Sequence, residues 1–291
     1  SVFKRSKGAS RMTEATLKAG VIGWPIDHSL SPHLHGFWLE HYKIDGEYLP
    51  FAVETENLKS FLKSLADQGR RGTNVTLPHK ETTLSVVDQI DEQAKRVGAV
   101  NTVVVQKDGS LLGSNTDGFG FLENIHDQNP KWAAKRGPAI VLGAGGAARA
   151  ILVALLEAGA PEIRLLNRTK ERAEELAGEL GGGIKVDDWA ARSEVVSEAA
   201  TLVNTTSLGM KGQPPLGIDL SRLAESATVT DIVYTPLETG LLKNAKKRGN
   251  PVVDGLGMLL HQARPGFQAW FGVEPQVTKD LRDHDLKVME S

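Results

Sequence analysis

The chain's 291 residues leave room for two domains, since domains commonly run to ~100–200 residues. Hydrophobic residues make up 40% and charged residues 24%, a globular mix that excludes disorder and fibrous architectures. With 34 Lys+Arg against 36 Asp+Glu the net charge is −2, too little positive field to gather nucleic acid or anionic lipid. Zero cysteines exclude disulfides, thiolate metal sites and a Cys nucleophile, as suits a cytoplasmic protein.

Residues 1–11 carry Lys4, Arg5, Lys7 and Arg11 with no acid and no period, so a disordered leader is expected there, with Met12 as the natural start. No apolar run approaches the ~18–20 residues of a membrane span, and no signal-peptide core precedes residue 20. Short apolar runs then alternate with helical stretches. Strands are expected over 21–24, 48–53 and 73–76, with helices over 33–42, 58–67 and 81–87, the βαβ rhythm of a mostly parallel sheet. A strand over 99–105, the turn Lys107-Asp108-Gly109 and the pair Leu111-Leu112 read as a hairpin.

A second βα unit opens after Asn129-Pro130 and a basic stretch ending at Pro138. Strands are expected over 139–142, 162–166, 201–204, 228–233 and 251–253, with helices over 147–156, 170–180 and 237–248. Residues 218–223 read as loop with a short helical turn, and Gly181-Gly182-Gly183 as a helix end. From 258 to 271 apolar residues recur at helical spacing, with Met258, Leu259, Ala263 and Phe267 on one face.

The run Gly143-Ala144-Gly145-Gly146-Ala147-Ala148 sits between an apolar strand and an alanine-rich helix and fits G-x-G-x-x-A. There the first glycine makes a tight turn, the second lets backbone approach a pyrophosphate, and the small third residue lets helix and strand pack closely. Some twenty residues on, where an acid normally holds the ribose hydroxyls of NAD, stands Asn167-Arg168-Thr169-Lys170. A guanidinium there suits a 2′-phosphate and favours NADP. The bland alternative is solvated charge at a helix start, although cations there oppose the helix dipole.

Asn74 to Lys80 would aim short polar side chains and one ammonium into a crevice at a strand end. Asn101-Thr102 and Ser114-Asn115-Thr116-Asp117 add amides, hydroxyls and a carboxylate. Taken singly, Lys80 reads equally as a surface lysine and Asp117 as a helix N-cap. Eight histidines form no metal-ligand pattern, and the phosphate loop of NTPases and the hydrolase elbow are both missing.

Together these segments resemble shikimate dehydrogenase from about residue 19 to residue 272. The matching stretches are Ser29-Leu30-Ser31-Pro32, Asn74 to Lys80, Gly98 to Thr102, Asn115 to Gly118, the glycine loop, Asn167-Arg168-Thr169, Asn204 to Met210, Asp231 to Pro236, and Gly257 to Ala263. The resemblance implies NADPH-dependent reduction of 3-dehydroshikimate to shikimate, with Lys80 and Asp117 catalytic. It implies that Ser29, Ser31, Asn74, Thr76, Asn101, Tyr234 and Gln262 join them in holding the substrate. It further implies cofactor contacts at Gly143, Ala144, Gly145, Gly146, Ala147, Asn167, Arg168, Thr169, Thr205, Met210, Gly255 and Met258. One departure is Gly36 after His35, where the family usually has Asn.

The expected architecture is two α/β domains with the active site in their cleft. The substrate domain would comprise 12–118 plus 258–291, and a Rossmann-like NADP-binding domain 119–257, with the chain a monomer or homodimer. The rivals are an NAD-using quinate/shikimate dehydrogenase, a dehydrogenase for another hydroxylated ring acid, and a non-catalytic sensor of the same fold.

Overall fold

The computed structural model describes residues 15–291; the expected leader and Met12 lie outside the described residues. The first half runs β1 (Leu17–Gly23), α1 (Ser31–His41), β2 (Gly46–Ala52), α2 (Leu58–Ser64), β3 (Gly72–Val75), β4 (Gln89–Ile90), α3 (Glu92–Val97), β5 (Thr102–Val105), β6 (Leu111–Ser114) and α4 (Asp117–Gln128). The second half continues with β7 (Ala139–Leu142), α5 (Gly146–Glu157), β8 (Ile163–Asn167), α6 (Lys170–Leu180), β9 (Ile184–Asp188), α7 (Arg192–Val195), β10 (Thr201–Asn204), β11 (Thr228–Asp231), α8 (Gly240–Lys247) and β12 (Val252–Val253). Three helices close the chain, α9 (Leu256–Gln262), α10 (Arg264–Phe271) and α11 (Lys279–Glu290).

The first sheet has the order β2-β1-β3-β5-β6-β4. Only β5 runs against the others, paired antiparallel to β3 and to β6 across the expected hairpin. The second sheet, β12-β11-β10-β7-β8-β9, is parallel throughout. Counting from β7, that is the doubly wound order of dinucleotide-binding folds, whose ligand crevice lies at the switch point between the first and fourth strands. Here those strands are β7 and β10. Every residue of Ala-Ile-Val-Leu in β7 is buried, as a central parallel strand covered on both faces requires.

Each sheet is covered on both sides. One side of the second carries Ile151, Leu152 and Leu155 of α5; the other carries Leu241, Leu242 and Ala245 of α8. The first sheet packs α2 on one face; on the other, Ala19 and Val21 meet Trp38 of α1 with Phe267, Trp270 and Leu281 from the C-terminal helices. The Trp270 indole N–H donates to the Val103 carbonyl at 3.1 Å, so the end of the chain completes the first half. Phe121 and Ile125 of α4 sit in the second half's core, so α4 carries the chain from the first half into the second.

Several expected elements differ. The helix over 81–87 is only a single 3₁₀ turn, Thr82–Ser85. Its β-branched residues favour helix poorly, and the Thr83 hydroxyl shares the His79 carbonyl with the Thr83 backbone N–H, at 2.7 Å and 3.0 Å. The apolar stretch 258–271 divides at Ala263, where Pro265 opens α10. Residues 218–223 are loop closed by one turn, in which the Leu223 N–H donates to the Leu220 carbonyl at 3.0 Å. The short β4 and α3, the edge strand β9 and the charged α11 were not expected. α3 has a full set of end signals, with Asp91 capping the Ala94 N–H at 2.8 Å and left-handed Gly98 closing it at φ 73°.

Candidate active site

A cleft of about 550 Å³ opens between the two sheets at the carboxyl ends of β1 and β3. From the first half it is lined by Ser29, Ser31, Asn74, Thr76, Lys80, Asn101 and Asp117, all of them expected substrate residues. Tyr234 and Gln262 line it too, with Gly255, Met258 and Ala147 from the cofactor set. Trp24, Ile26, His28, Leu77, Ile232 and Leu259 also line it without having been singled out. Trp24 and Leu77 are 48% and 74% exposed, an unusual cost for large apolar groups. Their exposure beside a serine-rich loop is the signal that sequence reading lacked.

Lys80 and Asp117 meet. The ammonium donates to Asp117 Oδ2 at 3.3 Å, with side chains 32% and 18% exposed. A partly exposed pair of this kind adds at most ~1 kcal/mol to stability, so stability alone gives little reason for it. Asp117 is the first residue of α4, where the helix dipole favours a negative charge. Its other oxygen accepts from Asn101 Nδ2 at 3.0 Å, and its backbone N–H donates to Asn115 Oδ1 at 3.0 Å. The Thr116 hydroxyl donates to the Gln262 carbonyl at 2.7 Å, tying α9 to the same cluster. Position 80 is fixed by its carbonyl, which accepts from the Val100 N–H at 2.8 Å.

Beneath the cleft lies an aromatic floor. The His35 ring, fully buried, stacks on Tyr48 with centroids 3.8 Å apart and planes 2° from parallel. Burial pushes the imidazole down to about 3 and the Tyr48 phenol well above its ordinary range. Burial likewise raises the Tyr234 phenol, with the negative charge of Asp285 adding to it. Gly36 has open space around it, so the departure from the family pattern disturbs no contact.

The glycine loop joins β7 to α5. Gly143 adopts φ +107°, and a Cβ there would stand 2.3 Å from Thr205 Oγ1, so only glycine fits. The Thr205 hydroxyl donates to the Leu142 carbonyl at 2.6 Å, which makes it a brace of the turn. A Cβ on Gly145 or Gly146 would meet no atom within 4 Å. That open cradle, at a helix start with no acidic residue in its first turn and no side-chain cap, fits a pyrophosphate. Ala144 is half-buried in the same loop.

Past β8, Asn167 Nδ2 donates to the Thr169 carbonyl at 2.9 Å, and Arg168 and Thr169 are exposed. Lys170 is paired with Asp188 at 2.8 Å, which leaves Arg168 as the cation facing solvent at the strand end. The residues present therefore fit NADP. Met210 lies 40% exposed in the loop after β10, outside the cleft lining.

Fold and site define a two-domain α/β protein in which a doubly wound dinucleotide-binding half faces a polar pocket across a cleft. A family model described as the shikimate dehydrogenase substrate binding domain matches residues 21–103, and one described as shikimate / quinate 5-dehydrogenase matches 126–209. A shikimate dehydrogenase (NADP(+)) of Paramagnetospirillum magneticum is 58% identical over 264 residues, 91% of this chain and 96% of that one. A Thermus thermophilus shikimate 5-dehydrogenase solved with NADP(H) and shikimate superposes with TM-score 0.81 at 38% identity, covering 94% of this chain and 99% of that chain. A Corynebacterium glutamicum quinate dehydrogenase solved with NAD gives TM-score 0.85 at 30% identity, covering 95% and 99%. The chain belongs to the shikimate dehydrogenase family.

Proposed function

We propose that this chain reversibly reduces 3-dehydroshikimate to shikimate with NADPH, and that Lys80 and Asp117 handle the proton. The observation that carries the assignment of roles is the 3.3 Å contact between these two side chains at the cleft, which Ala147 at the end of the glycine loop also lines. NADPH, when bound, supplies the hydride. As negative charge develops on the ketone oxygen, the Lys80 ammonium donates a hydrogen bond and then a proton to it. Asp117 holds the ammonium in place. With 32% of its side chain exposed, Lys80 can recover its proton directly from solvent.

The substrate is a small acid dense in hydroxyls. Ser29, Ser31, Asn74, Thr76, Asn101, Tyr234 and Gln262 offer it hydroxyl and amide partners, and each one left unpaired in a closed site costs ~1–3 kcal/mol. Arg168 takes the 2′-phosphate. The division into 12–118 plus 258–291 and 119–257, a cytoplasmic location and a monomeric or dimeric state go with this reading.

The test follows NADPH formation with shikimate and with quinate, each against NADP and NAD, for wild type and Lys80→Ala. Wild type is expected to prefer shikimate and NADP. Lys80→Ala is expected to lose ~10²–10⁴-fold in kcat with a far smaller change in KM. Comparable efficiency with quinate and NAD would favour the broader dehydrogenase. No turnover with any pair would favour a ligand sensor, and a Lys80→Ala enzyme close to wild type would remove Lys80 from the chemistry.

A further inference from the structure

A line of hydrogen bonds leads from the buried side of the first sheet to Asp117, and groups that cannot change roles fix its direction. The Asp117 carboxylate accepts from Asn101 Nδ2 at 3.0 Å. Asn101 cannot be turned round, because the Thr116 backbone N–H donates to its Oδ1 at 3.0 Å. The Thr102 hydroxyl, 3.0 Å from that same Oδ1, must therefore donate to it and keep a lone pair for Asn74 Nδ2 at 3.3 Å. Asn74 is fixed in turn, since its Nδ2 also donates to the Asn101 backbone carbonyl at 3.2 Å. Its Oδ1 then accepts from the Tyr48 hydroxyl at 2.6 Å. Every donor from Tyr48 through Asn74, Thr102 and Asn101 points toward Asp117, and Lys80 reaches Asp117 from the other side.

Tyr48 and Thr102 are 6% and 2% exposed and stand outside the cleft lining. Neither touches the space a substrate would fill. We propose that they are positioning residues for the Lys80–Asp117 pair, acting through the two asparagines that share the Thr102 hydroxyl. The inference rests on the proposed roles of Lys80 and Asp117. Hydrogen bonds aligned in one direction polarise one another, and a satisfied buried network holds a single arrangement. Removing the Thr102 hydroxyl leaves each asparagine its backbone anchor but uncouples the two amides, so Asp117 loses a partner held in register. Burial keeps the Tyr48 phenol protonated, so the line retains its donor end across the working pH range.

The experiment compares Thr102→Val, Thr102→Ser, Tyr48→Phe and the Thr102→Val/Tyr48→Phe double variant in steady-state kinetics, with Lys80→Ala run alongside. Valine keeps the shape of threonine without the hydroxyl; serine keeps the hydroxyl and drops the methyl beside Gly266. Thr102→Val and Tyr48→Phe are each expected to lower kcat by about tenfold, the scale of one buried hydrogen bond, with KM for NADP unchanged. Thr102→Ser is expected to stay within about twofold of wild type, and the double variant to be no slower than the slower single one, because one break already interrupts the line. Wild-type turnover in Thr102→Val, a Thr102→Ser enzyme as slow as the valine variant, or a multiplicative loss in the double variant would overturn the inference. If Thr102→Val does not fold, Tyr48→Phe at the far end decides it. A Lys80→Ala enzyme that keeps its turnover would instead count against the proposed roles of the pair.

Discussion

Lowering the pH from about 7 to about 5 is expected to cost the fold about 2 kcal/mol through His35 alone. The imidazole is fully buried against Tyr48, neither ring nitrogen has a hydrogen-bond partner among the described residues, and burial pushes it from 6.5 down to about 3. In the unfolded chain it binds a proton near pH 6.5; in the folded chain it stays neutral until far lower. The unfolded state therefore holds more protons throughout that window, and stability is lost as pH falls. Each unit in the window is worth about 1.4 kcal/mol, so the loss grows to roughly 4 kcal/mol by about pH 3. The assay is urea unfolding of the ligand-free protein at the two pH values, for wild type and His35→Phe, followed by circular dichroism. Phenylalanine preserves the stack and cannot titrate. Whatever it does to stability near neutrality, it is expected to remove about 2 kcal/mol from the difference between the two pH values. An equal pH dependence in both proteins would refute the argument.

Asp231 gives the opposite sign. Burial pushes its carboxyl from 3.8 up to about 6, so the folded state holds the extra proton and stability falls by roughly 2 kcal/mol as pH rises from about 4 to about 6; Asp231→Asn is expected to flatten that slope in a urea series. Gly145→Val is expected to fold and melt like wild type, since its Cβ meets nothing, while KM for NADPH rises at least about tenfold because the side chain fills the cradle. Arg168→Ala is expected to cut the preference for NADPH over NADH by about tenfold or more, read from kcat/KM with each cofactor.

The glycine loop was legible because its chemistry is local. A tight turn, a close approach and a helix start are all written within Gly143 to Ala148, and the fold adds only that Thr205 braces the turn. Lys80 and Asp117 are another matter. Their meeting depends on β5 lying antiparallel to β3 as well as to β6; the Lys107-Asp108-Gly109 turn announced only the second pairing, so the resemblance carried what spacing could not. Tyr48 and His35 gave no functional signal, and Thr102 gave only its place beside Asn101 at a strand start. On a strand or helix they read as ordinary core positions, and their roles exist only once three strands and a helix bring them together. The charged α11 was invisible for a related reason: among its twelve residues only Leu281 and Asp285 are buried, too few to make a period.

The return of the C-terminal helices to the first sheet has a bearing on how the molecule is made. A growing polypeptide that has emerged from the ribosome as far as Val253 owns every strand of the second sheet. It still lacks Gln262, Phe267, Trp270 and Leu281, which line the cleft or seal the opposite half. The second sheet can therefore mature during synthesis before α9, α10 and α11, which complete the cleft and the opposite half, have been translated.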